Sequence, residues 1–323
     1  MKLTELINGL NKNNKIIISR LISLVENENK QSIEFLKKIS TKVGNAYRIG
    51  ITGPPGAGKS TLTNQLTKLL LHKNKTVGII AVDPTSPFTG GAVLGDRIRM
   101  NEIATHPDVF IRSMATRGSL GGLSKKTIDV ADVLDAAGYD YIIFETVGVG
   151  QSELDIAKTA DTTMVVLVPE SGDSVQAMKA GLMEIADFFV MNKSDRPGAD
   201  TALTSLQTIL MFREHDEQTY LPKILKCVAS ENIGVNEIMD EIENHRKYLI
   251  NSNKFIERRK KIIKKRITTI VERKLWLDIW NENRNNILEE KINSVIKNEL
   301  SPYSLAEEIV LNYKKDIAIK KTL

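Results

Sequence analysis

Between residues 47 and 230 the chain alternates short apolar runs with longer amphipathic stretches. The runs are YRIGIT, VGIIAV, VFIRSM, YIIFET, TMVVLV, FFVMN and ILKCVA, each with the length and the β-branched or aromatic content of a buried strand. Between them, residues 60–72, 125–137, 174–186 and 202–214 have the length and apolar spacing of amphipathic helices. Parallel strands need crossover connections of about this length, whereas hairpins do not. The pattern therefore predicts an α/β fold, doubly wound around a mostly parallel sheet, over residues 46–250.

Both flanks read differently. In residues 1–45, LTELINGL, IIISRLISLVEN and QSIEFLKKIS carry helical spacing, split by NKNN and by residues 27–29. They predict a helical N-terminal extension, an appendage rather than part of the core. After residue 250 no strand-like run remains. Ile256, Ile263, Ile270 and Leu277 fall seven residues apart, and Ile267, Val271 and Leu275 widen the stripe, so residues 252–281 predict a long helix with a face to cover. A second helical stretch covers 287–300, and SPYSLAEEIVLNYKK opens a third, with Ser301 as cap and Pro302 in the first helical position. Residues 251–323 thus form a helical C-terminal arm.

Composition narrows the class. A chain of 323 residues that is 41% hydrophobic can fill the cores of about two domains. Its longest unbroken apolar run, residues 164–168, is far short of the roughly 20 residues that cross a bilayer. The start, MKLTELINGLNKNNK, has no apolar signal region, so a cytoplasmic protein is expected. Cys227 reads as a buried strand cysteine, and His72, His106, His215 and His245 are too scattered for a zinc or nickel site.

The net charge of +5 hints at nucleic acid or an anionic membrane. Residues 254–274, however, hold ten Lys/Arg against two Asp/Glu, so the rest of the chain is net acidic. The sevenfold apolar stripe on that same segment, without the aromatic interleaving that would support base stacking, reads as a dimer helix with a solvated cationic face. Neither nucleic acid nor membrane is expected as a partner.

Three motifs carry chemistry. GPPGAGKST (Gly53, Pro54, Pro55, Gly56, Ala57, Gly58, Lys59, Ser60, Thr61) lies between a predicted strand and a predicted helix, the setting of a phosphate-binding loop. Glycines let backbone N–H groups converge on phosphates, Lys59 reaches the β and γ groups, and Ser60 can ligate Mg²⁺. NKSD (Asn192, Lys193, Ser194, Asp195) follows the run FFVM. The Asp195 carboxylate can accept both N1–H and N2–H of guanine, which adenine cannot offer, so GTP is favoured over ATP. Ala229 and Ser230, beyond the next strand, are expected to offer backbone N–H to guanine O6. The third motif is Glu145-Thr-Val-Gly148, where Glu145 would orient Mg²⁺ through water and the Gly148 N–H would sense the γ-phosphate. Val149 follows that glycine and Gln151 comes two positions later, so slow intrinsic hydrolysis is expected.

The Gly- and Pro-rich stretch from Asp83 to Asp96 reads as a first switch, with both aspartates as Mg²⁺-side carboxylates; Asp96 reads also as a helix cap. TRGSLGGLSKK reads as a second mobile segment or a capped turn. Asp173, Gln176 and Lys179 form a polar cluster that is either functional or a solvated helix start.

Together with VDPTSPFTGGAVLGDRIRM, RSMATRGSLGGL, FETVGVGQSE and VPESGDSVQAMKAGLMEIAD, these residues resemble the MeaB/ArgK-type P-loop GTPases of the SIMIBI class over residues 40–285. The resemblance implies catalytic and metal-side roles for Lys59, Glu145, Asp83 and Asp96, a third switch at Asp173, Gln176 and Lys179, and a dimerisation arm at the C-terminus. It implies Mg²⁺ and GTP or GDP as ligands, with no cobalamin held by the chain itself. The implied partners are an adenosylcobalamin-dependent acyl-CoA mutase, a second copy of the chain, and the adenosyltransferase that delivers the cofactor. The implied role is chaperoning of that mutase. The competing readings are a phosphotransferase and a metal-delivery GTPase.

Overall fold

The computed structural model describes residues 2–27, 30–83, 101–115, 122–146, 159–169, 181–212 and 219–322. These divide into two compact units, residues 1–259 and 260–323.

In the first unit, all seven predicted strands form: β1 (Tyr47–Thr52), β2 (Val77–Asp83), β3 (Val109–Ala115), β4 (Tyr141–Thr146), β5 (Thr162–Leu167), β6 (Phe188–Asn192) and β7 (Ile224–Cys227). They pair in parallel throughout, in the order β3-β2-β4-β1-β5-β6-β7. Among the described residues the helices are α1 (Leu3–Asn8), α2 (Lys15–Glu26), α3 (Lys30–Ile39), α4 (Lys59–His72), α5 (Asn101–Ala104), α6 (Gly122–Ala137), α7 (Leu182–Ile185), α8 (Ala199–Met211), α9 (Val235–Asn251) and α10 (Lys254–Ile279), the last running on into the second unit. The central strands are buried on both faces, which is why they read as continuous apolar runs. Alternation still sorts them: Ile142 and Phe144 of β4 face one layer, Tyr141 and Ile143 the other.

One layer corrects the sequence reading. The N-terminal helices are not an appendage: Leu6, Ile18, Leu21, Ile22 and Phe35 share one core with Val130, Val133 and Leu134 of α6 and with Ile80, Phe110 and Phe144 of the sheet. At roughly 1.5–3 kcal/mol for each large side chain buried, this is a major part of the fold. Polar ties reinforce it. Lys15 Nζ donates to the His106 carbonyl at 2.6 Å. The Arg112 guanidinium of β3 donates to both carboxylate oxygens of Glu26. On the opposite face, α4 and α9 pack over Ile49, Ile51, Val77 and Ile79.

The second unit holds the remainder of α10 with α11 (Glu282–Ile296) and α12 (Pro302–Thr322). Ser301 caps as expected, its Oγ accepting from the Tyr303 N–H at 3.2 Å. Arg284 is buried, donating to the Ile279 and Asp278 carbonyls, to Asn312 Oδ1 and to Asp316 Oδ2, with its guanidinium over the Tyr313 ring. The sevenfold stripe of α10 is exposed, with Ile263 53% and Leu277 57% accessible. Among the described residues, no helix is long and apolar enough to cross a membrane.

At the amino-terminal edge of the sheet runs a buried polar chain. Tyr47 Oη and Thr162 Oγ1 are 2.5 Å apart, and Thr162 Oγ1 and His245 Nδ1 2.7 Å. His245 Nε2 lies 3.4 Å from Asp187 Oδ1, which also accepts from Arg258 at 2.8 Å. A neutral imidazole suits this chain: with Nδ1 as the acceptor for the Thr162 hydroxyl, the Nε2–H is the group left on the Asp187 side. Burial lowers the His245 pKa, opposed by Asp187 and more weakly by Glu241 and Asp161, while Arg258 adds to the lowering. The folded state therefore holds fewer protons here than the unfolded chain. The stabilisation is complete above the ordinary imidazole value of about 6.5 and is lost as pH falls through the lower folded value. His245→Gln is expected to lower stability near pH 8 but to flatten the decline below pH 6.5 in urea unfolding curves. An unchanged acid limb in the variant would contradict the neutral assignment.

Candidate functional site

The carboxyl ends of β1, β4, β6 and β7 converge with the start of α4, where ligands bind in open α/β sheets. The loop after β1 makes two approaches that only glycine permits. Gly53 has φ +138°, and a Cβ there would sit 2.0 Å from the Val166 carbonyl oxygen of β5. Gly58, the N-cap of α4 with φ +88°, would place a Cβ 2.2 Å from Asn192 Nδ2. Lys59 is buried, and its ammonium donates to the Gly53 and Pro54 carbonyls, each at 2.8 Å, folded back against its own loop.

Ser60 follows in the first turn of α4, and its Oγ donates to Glu145 Oε1 at the end of β4. Both residues are buried, Ser60 8% and Glu145 4% exposed. A hydroxyl and a carboxylate side by side at a helix N-terminus are hard oxygen donors, the set that suits Mg²⁺ rather than a soft metal. Asp83 ends β2 beside this pair, since Ala81 and Val82 pair with Glu145 and Thr146. Its side chain is outside the described residues. So are Asp96, Gly148, Val149, Gln151, Asp173, Gln176 and Lys179.

The second motif joins the same frame. Asn192 is 3% exposed; its Nδ2 donates to the Ala57 carbonyl at 2.8 Å and its Oδ1 accepts from the Ala229 N–H at 3.0 Å. Lys193, held at φ +55°, reaches the Gly56 carbonyl at 2.9 Å. Ser194 donates through both N–H and Oγ to the Cys227 carbonyl, at 3.1 and 3.2 Å. Asp195, next in the turn, is exposed. Cys227 itself is buried, and burial pushes its thiol up to about 12, so it is an inert packing residue.

One expectation changes. Ala229 and Ser230 are both expected to offer N–H to a base, yet that of Ala229 is committed to Asn192, so of the two only Ser230 stays a candidate donor. The sequence reading also misses Gln65 of α4, whose Nε2 donates to the Ala229 carbonyl at 3.3 Å. No motif names it, because the contact spans 164 residues.

Comparison with known proteins agrees with this geometry. The family model described as methylmalonyl-CoA mutase-associated GTPase MeaB matches residues 18–284. A Pyrococcus abyssi protein described as a GTPase is 49% identical over 308 residues, covering 95% of each chain. The mouse mitochondrial methylmalonic aciduria type A homolog is 30% identical over 303 residues, covering 88% of this chain and 70% of the relative. The crystal structure of a LAO/AO transport system kinase superposes with a TM-score of 0.74 at 28% identity, covering 97% of each chain. With its parallel sheet, its phosphate loop and its Asn192 turn, the chain belongs to the MeaB family of P-loop GTPases.

Proposed function

We propose that the chain hydrolyses GTP with Mg²⁺ and uses its nucleotide state to chaperone an adenosylcobalamin-dependent acyl-CoA mutase, governing cofactor loading, protection and reactivation. The observation that carries the GTP part is the Asn192 bridge: one buried amide holds the phosphate loop and the base loop in a fixed relation. With Asp195 and Ser230 as the base contacts, that spacing suits a guanine nucleotide. The mutase part rests on the family and on the name of the mouse relative.

The chain's own groups divide the work. Backbone N–H groups of residues 56–61 and the α4 terminus would hold the phosphates. Lys59 would exchange the Gly53 and Pro54 carbonyls for phosphate oxygens, a ready substitution because the loop already presents its ammonium inward. Ser60, Glu145, Asp83 and Asp96 would hold Mg²⁺, Glu145 through water. The ion, when bound, supplies positive charge to the transferring phosphoryl group. Val149 in place of a water-orienting Gln leaves the attacking water weakly held. Hydrolysis is therefore slow until the mutase engages the switches, Asp173, Gln176 and Lys179 among them. The arm supports a homodimer through Ile263, Ile270 and their stripe. The name of the LAO/AO neighbour makes phosphotransfer the competing outcome, and transfer of γ-phosphate label to a protein or metabolite instead of water would establish it.

Asp195→Asn is expected to weaken GDP roughly 10- to 150-fold, the worth of a charge-assisted pair. The same change should raise affinity for xanthosine diphosphate, whose C2 carbonyl can accept from the new amide. Calorimetric titration of both nucleotides checks this, and an unchanged preference would remove Asp195 from the base site.

For the mutase, capture by the immobilised chain with GDP, with a GTP analogue and without nucleotide should show state-dependent binding. Absence of any adenosylcobalamin mutase in all three conditions would overturn the chaperone reading.

For the arm, sedimentation should find a dimer that becomes a monomer in Ile263→Glu/Ile270→Glu, with nucleotide affinity retained. Because the facing segments are both basic, raising salt should strengthen the dimer, the opposite of nucleic-acid binding. A monomer at every concentration would refute the arm's role.

A further inference from the structure

The peptide between Ala229 and Ser230 is gripped by groups that no nucleotide motif contains. Its carbonyl accepts from Gln65 Nε2 at 3.3 Å and from the Asn232 N–H at 3.4 Å. The preceding peptide is fixed as well, its Ala229 N–H donating to Oδ1 of the motif residue Asn192 at 3.0 Å. A peptide unit is planar, and in its trans form the carbonyl and the following N–H point in opposite directions. Holding the Ala229 carbonyl therefore sets the direction of the Ser230 N–H. A hydrogen bond accepted by the carbonyl also polarises the amide, which strengthens that N–H as a donor.

Gln65 is placed to do this because of where its helix begins. Lys59 and Ser60 open α4 at the phosphate loop, and Gln65 follows them by less than two turns, half-buried on the face turned to the base loop. The carbonyl it meets belongs to Ala229, which is 1% exposed, so water is a poor substitute for the amide.

We propose that Gln65 is a positioning residue for guanine: by holding the Ala229 carbonyl it aims the Ser230 N–H at the keto oxygen O6. The proposal rests on the guanine-nucleotide reading given above and adds to it the residue that sets the O6 contact. It also makes α4 a single rod that touches phosphate at one end and the base loop along its side.

The test uses the full chain, with dissociation constants measured for three diphosphates. GDP and inosine diphosphate carry O6, whereas 2-aminopurine riboside diphosphate does not. Gln65→Leu removes the donor, and Gln65→Glu keeps the volume while turning a carboxylate toward the carbonyl; thermal melting of both verifies folding. The expected result is a loss of roughly three- to tenfold for GDP and inosine diphosphate, the worth of one neutral hydrogen bond, with the 2-aminopurine analogue changed less than about twofold. An equal loss for all three ligands, or no loss in either variant, would overturn the role of Gln65 while leaving guanine binding intact. A wild-type chain that binds ADP as well as GDP would instead overturn the guanine reading itself.

Discussion

The nucleotide end of this molecule depends on one buried side-chain amide. Asn192 donates to the loop after β1 and accepts from the loop after β7, two segments otherwise separated by β5 and β6 in the sheet. Removing it would leave a buried carbonyl and a buried N–H without partners, at about 1–3 kcal/mol each. Aspartate could not take its place, because the position needs a donor and an acceptor at once. The same contact explains Gly58, since a methyl group there would fall on Asn192 Nδ2. Glycine at 58, asparagine at 192 and the backbone at 229 are thus one constraint written in three distant places.

The other edge of the sheet is organised for anchoring. Tyr47, Thr162, His245, Asp187 and Arg258 connect the starts of β1, β5 and β6 to α9 and to the first turns of α10. Beside them Arg259 pairs with both oxygens of Asp161 at 2.7 and 2.9 Å and donates again to the Gly44 and Ala46 carbonyls. A buried polar network of this kind is favourable only when its members are matched, and here every member has a polar partner within reach. In a parallel sheet all carboxyl ends point one way, so chemistry gathers at that edge and the opposite edge is free to fix the root of α10.

The sheet was legible in sequence because its strands are buried on both faces and therefore read as unbroken apolar runs between helix-length stretches. GPPGAGKST and NKSD were legible because their spacing answers a local backbone requirement. The N-terminal helices were misread for the opposite reason: an amphipathic pattern displays an apolar face but does not say what covers it, and Ile18, Leu21 and Phe35 meet α6 more than 90 positions later. Gln65 was invisible because nothing near it in sequence marks its partner. The commitment of the Ala229 N–H to Asn192 was hidden likewise, since a backbone group carries no sequence signature at all.

The positive charge of the chain looks different once its first members are placed. Arg258 and Arg259, at the head of the basic segment, turn inward to Asp187 and Asp161, and Arg259 also lies over the Phe255 ring at 4.3 Å. They act as anchors, and their charge is matched at short range. The lysines that follow, 260, 261, 264 and 265, share their helix with exposed Ile256, Ile263 and Ile267. A surface built to grip phosphates would place its cations against a polar, accessible strip. Here the cations flank aliphatic side chains, and their long stems extend the apolar band while their heads remain in water. In the proposed homodimer such a face would be covered by a second copy of the same helix, apolar in the middle and charged at the margins.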